Sequence, residues 1–295
     1  GIKMKKLKLN FKYICKLWWD ISSIIFSMLS IFLLFISWEN LEILKPEIKV
    51  VILIGLLILI FVISCFFVLN IIKENIVWKK GKNEIKIIYS DIFKIGFESY
   101  KSKKIVVIPV NNTFDTIIEE PGEGVINPLV SPNTIHGQWI KRYLKETKIT
   151  QKELNNKIQE DLKKRNILEE KIILNKNKGN NNSYPLGTIS VINGHRNSIF
   201  YLIAISEFGE KNDAHTTSIK IRNAIDNLID FYDKNGQGFS IYIPLMGTGS
   251  SRADLTHEQS LKMIKSTILI NEKFINGEVN IVVYDKDKDK ISIFR

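Results

Sequence analysis

The stretch IYIPLMGTGSSRADLT, Ile241 to Thr256, decides how the soluble part of this chain is read. An apolar run ends at Pro244-Leu245-Met246 and breaks into Gly247-Thr248-Gly249, followed by Ser250, Ser251, Arg252 and Asp254. Glycines let a backbone approach a ligand closely and take positive φ. Ser250, Ser251 and Asp254 are candidate N-caps for the next helix, whose unpaired N–H groups would favour an anion. A Gly-Thr-Gly alone is more often a tight turn than a phosphate cradle. Its meaning depends on what surrounds it.

Outward from that loop, strand and helix patterns alternate. EIKIIYSDI and KKIVVIPVNN are β-rich runs ending in polar residues, and GTISVI, SIFYLIAIS and FSIYIPLMG follow the Asn-rich loop NKNKGNNNSYP. Helical patterns occupy SPNTIHGQWIKRYLKE, which opens on a Ser-Pro start signal, TQKELNNKIQEDLKKRN, TTSIKIRNAIDNLIDFYDKN and DLTHEQSLKMIKSTILINEKF. In the third of these, Ile219, Ile221, Ala224, Ile225, Leu228, Ile229 and Phe231 recur at helical spacing. A last strand is VNIVVYD, and DKDKDK reads as a solvated turn. Strands alternating with helices of this length predict an α/β sheet covered on both faces. Ligands of such sheets sit outside the carboxyl ends of the strands. Three loops there could carry chemistry: YSDIF, the segment from PVNNTFD to PGEGVINP, and PLMGTGSSRAD.

The order of these loops resembles the macro domain, an α/β/α module that binds ADP-ribose. The resemblance covers roughly residues 85–295. In that family a Gly-Asp-Ile near an early strand reads adenine, and Ser90-Asp91-Ile92 matches it. A strand ending in Val-Asn-Ala-Ala-Asn and a glycine-rich loop ending in Gly-Val come next. Their counterparts are Val110-Asn111-Asn112-Thr113-Phe114 and Gly122-Glu123-Gly124-Val125. The family's later Gly-Thr-Gly loop, which wraps the diphosphate, matches Pro244 to Gly249. The resemblance implies that Asp91 accepts from the adenine amino group and that Asn111 lies by the distal ribose. It also implies that Gly122, Gly124, Val125, Gly247, Thr248, Gly249 and Ser250 bracket the diphosphate through backbone N–H groups. The alternative for Asp91 is a turn cap.

Departures from the pattern bear on chemistry. Hydrolytic macro domains use a second Asn to position water, and here that position is Phe114, followed by Asp115. A phenyl ring cannot orient water, though it can cover a ligand group. The family's glycine shortly after Gly-Thr-Gly is absent, and Ser251 and Arg252 stand close to the expected phosphates, where Arg252 either pairs with them or faces solvent. Binding rather than hydrolysis is expected, with no catalytic residue. Of the 4 histidines none shows metal-ligand spacing. His136, in NTIHGQW, either faces the distal end of a ligand or is an ordinary helix residue.

The chain has 295 residues and a formal net charge of +11. Ile21 to Trp38 and Val50 to Ile72 carry no charge, and each meets the ~20 apolar residues that a bilayer core requires. Lys3, Lys5, Lys6, Lys8, Lys12 and Lys16 precede the first span, and Lys73, Lys79, Lys80 and Lys82 follow the second. The positive-inside rule puts both termini in the cytoplasm, with a short outer hairpin turning near Pro46. Trp18, Trp19, Trp38 and Trp78 stand where interfacial anchors would be. The expected divisions are a basic cytoplasmic N-terminus at 1–20, spans at 21–38 and 50–72, and a cytoplasmic macro-like domain at 83–295. Anionic lipid headgroups account for the flanking lysines more simply than nucleic acid does. Both cysteines, Cys15 and Cys65, lie at the spans, so disulfides and thiolate metal sites are excluded from the soluble part.

Two spans with a macro-like domain resemble the membrane-anchored effectors of bacterial Thoeris antiphage systems. That resemblance implies a multi-pass protein of the bacterial cell membrane whose ligand is an ADP-ribose derivative, such as histidine-ADP-ribose made by a partner TIR-domain protein. Binding would drive homo-oligomerisation and membrane damage, ending in abortive infection, with no cofactor and no nucleic-acid partner. The alternative is a membrane-tethered ADP-ribosyl hydrolase.

Overall fold

The computed structural model describes residues 2–35, 45–99, 102–120, 128–172, 176, 178–208, 214–249 and 253–294. Contacts divide the chain into two units, Gly1–Asn75 with Lys286–Arg295, and Ile76–Asp285.

The first unit is built on two long helices, α1 (Ile2–Leu33) and α2 (Pro46–Phe66), the latter closing in a wider π turn over Phe67–Ile71. Pro46 occupies the first helical position, where its missing N–H costs nothing. The basic residues before the first apolar stretch belong to the same continuous helix as that stretch. Met4–Phe32 and Pro46–Ile71 are each long and apolar enough to cross a membrane. At 1.5 Å per residue the second would extend roughly 39 Å, more than the ~30 Å hydrocarbon core. Met28, Phe32, Val51 and Leu59 are exposed, the reverse of a water-soluble helix pair. The Trp18 indole donates to the Leu57 carbonyl of α2 at 3.0 Å, and its ring meets Phe61 edge-on. Trp18 therefore ties the two helices together. Trp19 is exposed, Trp78 lies on the first strand, and Trp38 is outside the described residues.

The second unit centres on a sheet that has eight strands among the described residues. Its order is β1 (Glu74–Lys80), β2 (Asn83–Ser90), β10 (Glu278–Tyr284), β9 (Ser240–Pro244), β3 (Lys104–Asn111), β7 (Ser198–Phe208) and β6 (Ile189–Asn193), with β8 (Ala214–His215) paired to β7. From β2 to β7 every pairing is parallel, while β6 and β8 run antiparallel to β7. Two short strands, β4 (Lys171–Ile172) and β5 (Asn182–Ser183), pair apart from it.

Alternation along the central strands supplies two cores. Val106, Ile108 and Val110 of β3 and Phe200 and Leu202 of β7 join Trp139 and Ile140 of α3 (Ile135–Thr147) and Leu154 and Ile158 of α4 (Gln151–Lys164) on one face. On the other face Tyr201 meets Phe231 of α5 (Ser218–Asn235) edge-on, and α6 (His257–Ile270) packs beside α5. The result is a three-layer α/β/α domain. β3 is buried along nearly its whole length, as parallel strands covered on both faces must be.

Helix starts follow side-chain chemistry more finely than the pattern predicts. α3 is capped by Thr134, whose hydroxyl accepts from Gly137 N and donates to Ser131 O, so Ser131-Pro132 form the turn before it. α6 is capped by Thr256 with Gln259 in a reciprocal capping box. This replaces Asp254 as the expected cap, and Ser250 and Ser251 lie outside the described residues.

Trp139 is wholly buried and packs on Tyr143 and Phe200. Trp139→Ala is expected to destabilise the full chain by about 3–5 kcal/mol, read from denaturant unfolding in detergent micelles.

Candidate ligand-binding site

The order β2-β10-β9-β3 gathers the carboxyl ends of β2, β9 and β3 on one edge of the parallel sheet. Asp91 directly follows β2, Leu245–Gly249 follow β9, and Asn111 ends β3. In β10, Val282 pairs with Pro244 on one side and Tyr284 with Ser90 on the other. Only one strand therefore separates the Asp91 turn from the Gly-Thr-Gly loop.

Each loop is held by its own chemistry. Asp91 Oδ1 accepts from Phe93 N at 2.8 Å, closing a tight turn, and the carboxylate is half-buried. Ile92 is buried and joins the core. On β9's side, Ser260 of α6 grips Met246 twice. Its hydroxyl donates to Met246 O at 2.7 Å and accepts from Met246 N at 3.1 Å. Gly247 follows at φ +79, and a Cβ there would come within 2.7 Å of Ile221 Cδ1 and 2.9 Å of Leu255 Cδ1. Only glycine satisfies both the dihedral and the space. Among the described residues a Cβ on Gly249 would meet nothing within 4 Å, so toward them that glycine faces open space. The loop continues to Leu255, whose N–H returns to Gly247 O at 3.2 Å, so α6 starts later than expected and its N-terminus does not directly follow the glycines.

The β3 loop is organised by a wholly buried ion pair. Lys176 Nζ lies 2.6 Å from Asp115 Oδ2, with both side chains fully inaccessible. The same oxygen accepts from Thr113 Oγ1 at 2.6 Å and Asn111 Nδ2 at 3.1 Å, while Asp115 Oδ1 accepts from Asn180 N at 2.7 Å. Asn111 Oδ1 in turn accepts from Asp115 N at 3.0 Å. Lys176 also donates to Thr113 Oγ1 and Asn180 O, and Asn180 Nδ2 to the carbonyls of Thr113 and Phe114. Burial pushes the Lys176 ammonium below its usual range, and Asp115 opposes that shift. Gly179 sits at φ +79, and a Cβ there would fall 2.2 Å from Asp115 Oδ1.

Phe114 is carried inward by this turn. It has φ +50, costly for a residue with a Cβ, and is fully buried edge-on against Tyr184. Ile92, Phe114 and Asp115, expected to touch a ligand, thus have internal partners instead, and Asn111 is largely engaged with Asp115. His136 is buried in the first turn of α3, and among the described residues its Nε2 has no hydrogen-bond partner. Burial pushes its pKa down to about 3, so the ring is neutral. Gly122, Gly124, Val125, Ser250, Ser251 and Arg252 lie outside the described residues. Ser260, Lys176, Gly179 and Asn180 hold these loops without any signal in the sequence. A helix serine gives no signal, and the Asn-rich loop reads as a plain connector. Among the described residues no group of acidic, His and Cys side chains could hold a metal ion.

The family model for the macro domain of Thoeris protein ThsA matches residues 85–284. The chain belongs to the ThsA macro domain family. A ThsA relative from Bacillus amyloliquefaciens (strain Y2), named Thoeris protein ThsA, is 28% identical over 266 residues, covering 88% of this chain and 82% of its own. Among solved structures, a mutant Oceanobacillus iheyensis macrodomain with ADPR is 13% identical with a TM-score of 0.46, covering 73% of this chain and 92% of that one. The same organism's macrodomain with ADP is 14% identical with a TM-score of 0.40, covering 73% and 90%. Ser90-Asp91-Ile92 and the buried Phe114 both lie within the matched residues.

Asp115→Asn leaves the Lys176 charge buried without its counterion and is expected to cost about 3–5 kcal/mol. Adding Lys176→Met should recover part of that loss, and a double-mutant cycle on denaturant unfolding measures the coupling. His136 gives a pH signature. Its folded pKa lies below the unfolded value, so the unfolded chain takes up more protons on acidification and stability falls as pH drops through the range from 6.5 towards 3. From pH 7 to pH 5 this contributes about 2 kcal/mol of lost stability, and His136→Leu should flatten that slope in melts across the range.

Proposed function

We propose that this chain is a membrane-anchored antiphage defence effector whose macro domain binds an ADP-ribose-derived signal. The observation that carries the reading is the edge formed by Asp91, Asn111 and the Gly247–Gly249 loop at the carboxyl ends of nearby parallel strands, with Gly249 facing open space. Membership of the ThsA macro domain family supports the same ligand class. Asp91 Oδ1 serves the Phe93 turn, and among the described residues Oδ2 has no partner. That oxygen suits the exocyclic amine of adenine, a donor edge. Backbone N–H groups of Gly247, Thr248, Gly249 and Ser250, together with those of Gly122, Gly124 and Val125, are the groups we assign to the diphosphate. Asn111 is assigned to the distal ribose, and Ser251, Arg252 and His136 to the distal end of the ligand. Ile92, Phe114 and Asp115 act from beneath by fixing the loops.

The chain binds and does not turn over its ligand. Phe114 takes the position of the water-positioning Asn, and its ring is buried against Tyr184. The signal, of the kind a TIR-domain protein makes, acts on a protein anchored by α1 and α2 with its macro domain in the cytoplasm. Ligand binding favours an oligomeric state that damages the membrane. It can do so only through a higher affinity for that state.

Thermal-shift measurements on the full chain in detergent test the reading. ADP-ribose at about 100 times its Kd should add roughly 2.7 kcal/mol of stability. Asp91→Ala should weaken the shift, and Gly249→Val should abolish it while leaving the unliganded melting temperature unchanged. Gly247→Ala should lower that temperature itself. Release of ADP-ribose from a modified protein substrate would instead establish the hydrolase.

A further inference from the structure

We infer that the face of α2 formed by Ile52, Gly55, Leu59, Val62 and Phe66 is the surface on which a second copy of this chain docks, α2 against α2. The contact supplies an interface for the oligomeric state of the proposed function and rests on that reading.

Side-chain contacts within the helical unit fix how α1 and α2 lie against each other. Trp18 of α1 meets Leu57 and Phe61 of α2. Ser292 Oγ donates to Asn10 Oδ1 at 2.6 Å, and the carbonyl of the next residue, Ile293, accepts from Asn75 Nδ2 at 2.8 Å. Asn10 precedes Trp18 and Asn75 follows Phe61, so the helices are antiparallel and the basic end of α1 runs beside the last turns of α2. At 1.5 Å per residue, Lys16 to Lys5 stand about 3 to 20 Å from Trp18. In the same direction, Val62 to Phe67 stand about 8 to 15 Å from Leu57.

At that level the two helices demand different surroundings. Lys5, Lys8, Lys12 and Lys16 follow one another at three- and four-residue steps and are exposed as one face of α1. Hydrocarbon around that face would strip four cations of water. The face spans roughly 17 Å of helix, more than lysine side chains can bridge by snorkelling. The level therefore lies outside the hydrocarbon, which agrees with a second helix longer than the bilayer core. Yet Val62, Ile63, Phe66 and Phe67 are exposed there. An apolar stripe held out of lipid marks an interaction surface.

Two features choose the occupant. Ile52, Gly55, Leu59, Val62 and Phe66 are all exposed and recur at alternating steps of three and four, the spacing of a seam between paired helices. Among the described residues a Cβ on Gly55 would meet nothing within 4 Å, so two backbones can approach closely at that point. The seam also lies opposite α1. Ile60 and Ser64 of α2 and Val68 of its π turn are buried on the side that Trp18 meets, half a turn away from the seam. A copy related by a two-fold axis along the helices then meets the same residues of its partner, and both lysine faces stay outermost.

Disulfide trapping of the full chain tests the seam. In a Cys15→Ser/Cys65→Ser background, Leu59→Cys, Val62→Cys, Lys8→Cys and Lys12→Cys are reconstituted singly in liposomes at high protein density. Each is oxidised with copper phenanthroline, without nucleotide and with ADP-ribose. Leu59→Cys and Val62→Cys should run as covalent dimers in at least one condition, while Lys8→Cys and Lys12→Cys lack the dimer band in both. Dimers from both faces alike, or none from α2 in either condition, would overturn the seam. Calorimetry with ADP-ribose reports on the ligand reading separately. If wild type does not bind, that reading fails, and the contrast between the two faces still decides the seam. Should circular dichroism show a seam variant to be misfolded, Ile52→Cys takes its place with the same outcomes.

Discussion

The buried pair of Asp115 and Lys176 is the constraint on which the domain's ligand edge depends. A carboxylate and an ammonium with no access to water persist only if every remaining donor and acceptor is met. Here Asn111, Thr113 and the Asn180 backbone meet them. Meeting them fixes the end of β3 and draws the Asn-rich loop across it. It also holds Phe114 in a left-handed backbone conformation that its own chemistry disfavours. The pair is costly to bury and gives the loop one shape. That shape turns Phe114 into the core.

The second loop reaches the same end by different means. Ser260 grips both backbone groups of Met246, and Gly247 fits a space that no side chain could enter. Beyond that fixed point Gly249 faces open space. A rigid entry followed by an open glycine suits an anion site, because the N–H groups are positioned before the ligand arrives. Asp91, one strand beyond β10, completes the edge with a carboxylate that a phosphate would avoid and a base amine would seek.

Much of this was legible in the sequence, and the reasons are specific. The uncharged stretches and the flanking lysines mark α1 and α2 by composition alone. The alternation of β-rich runs and 3.6-period segments marks the α/β layers, and SDI, VNNTF and PLMGTG mark the three loops by their order. What was not legible depends on contacts distant in sequence. Lys176 and Asn180 reach Asp115 from a loop that reads as filler, so the inward turn of Phe114 and Asp115 could not be foreseen. Asp254 looks like a helix cap, but Thr256 has the capping-box partner Gln259 and wins. Ile291 and Ile293 form too short an alternation to stand out, although both are buried. Glu74–Lys80, a strand directly after the second apolar helix, was hidden by the lysines that read as a membrane flank.

On the proposed function, this chain reads an adenine nucleotide of the ADP-ribose type and does not consume it. Isothermal titration calorimetry of the full chain in detergent with ADP-ribose tests that most directly. Saturable binding at one site per chain is expected, weakened in Asp91→Ala and lost in Gly249→Val, with the ligand recovered unaltered. No heat of binding from ADP-ribose or its amino-acid conjugates, or recovery of a cleaved product, would contradict it.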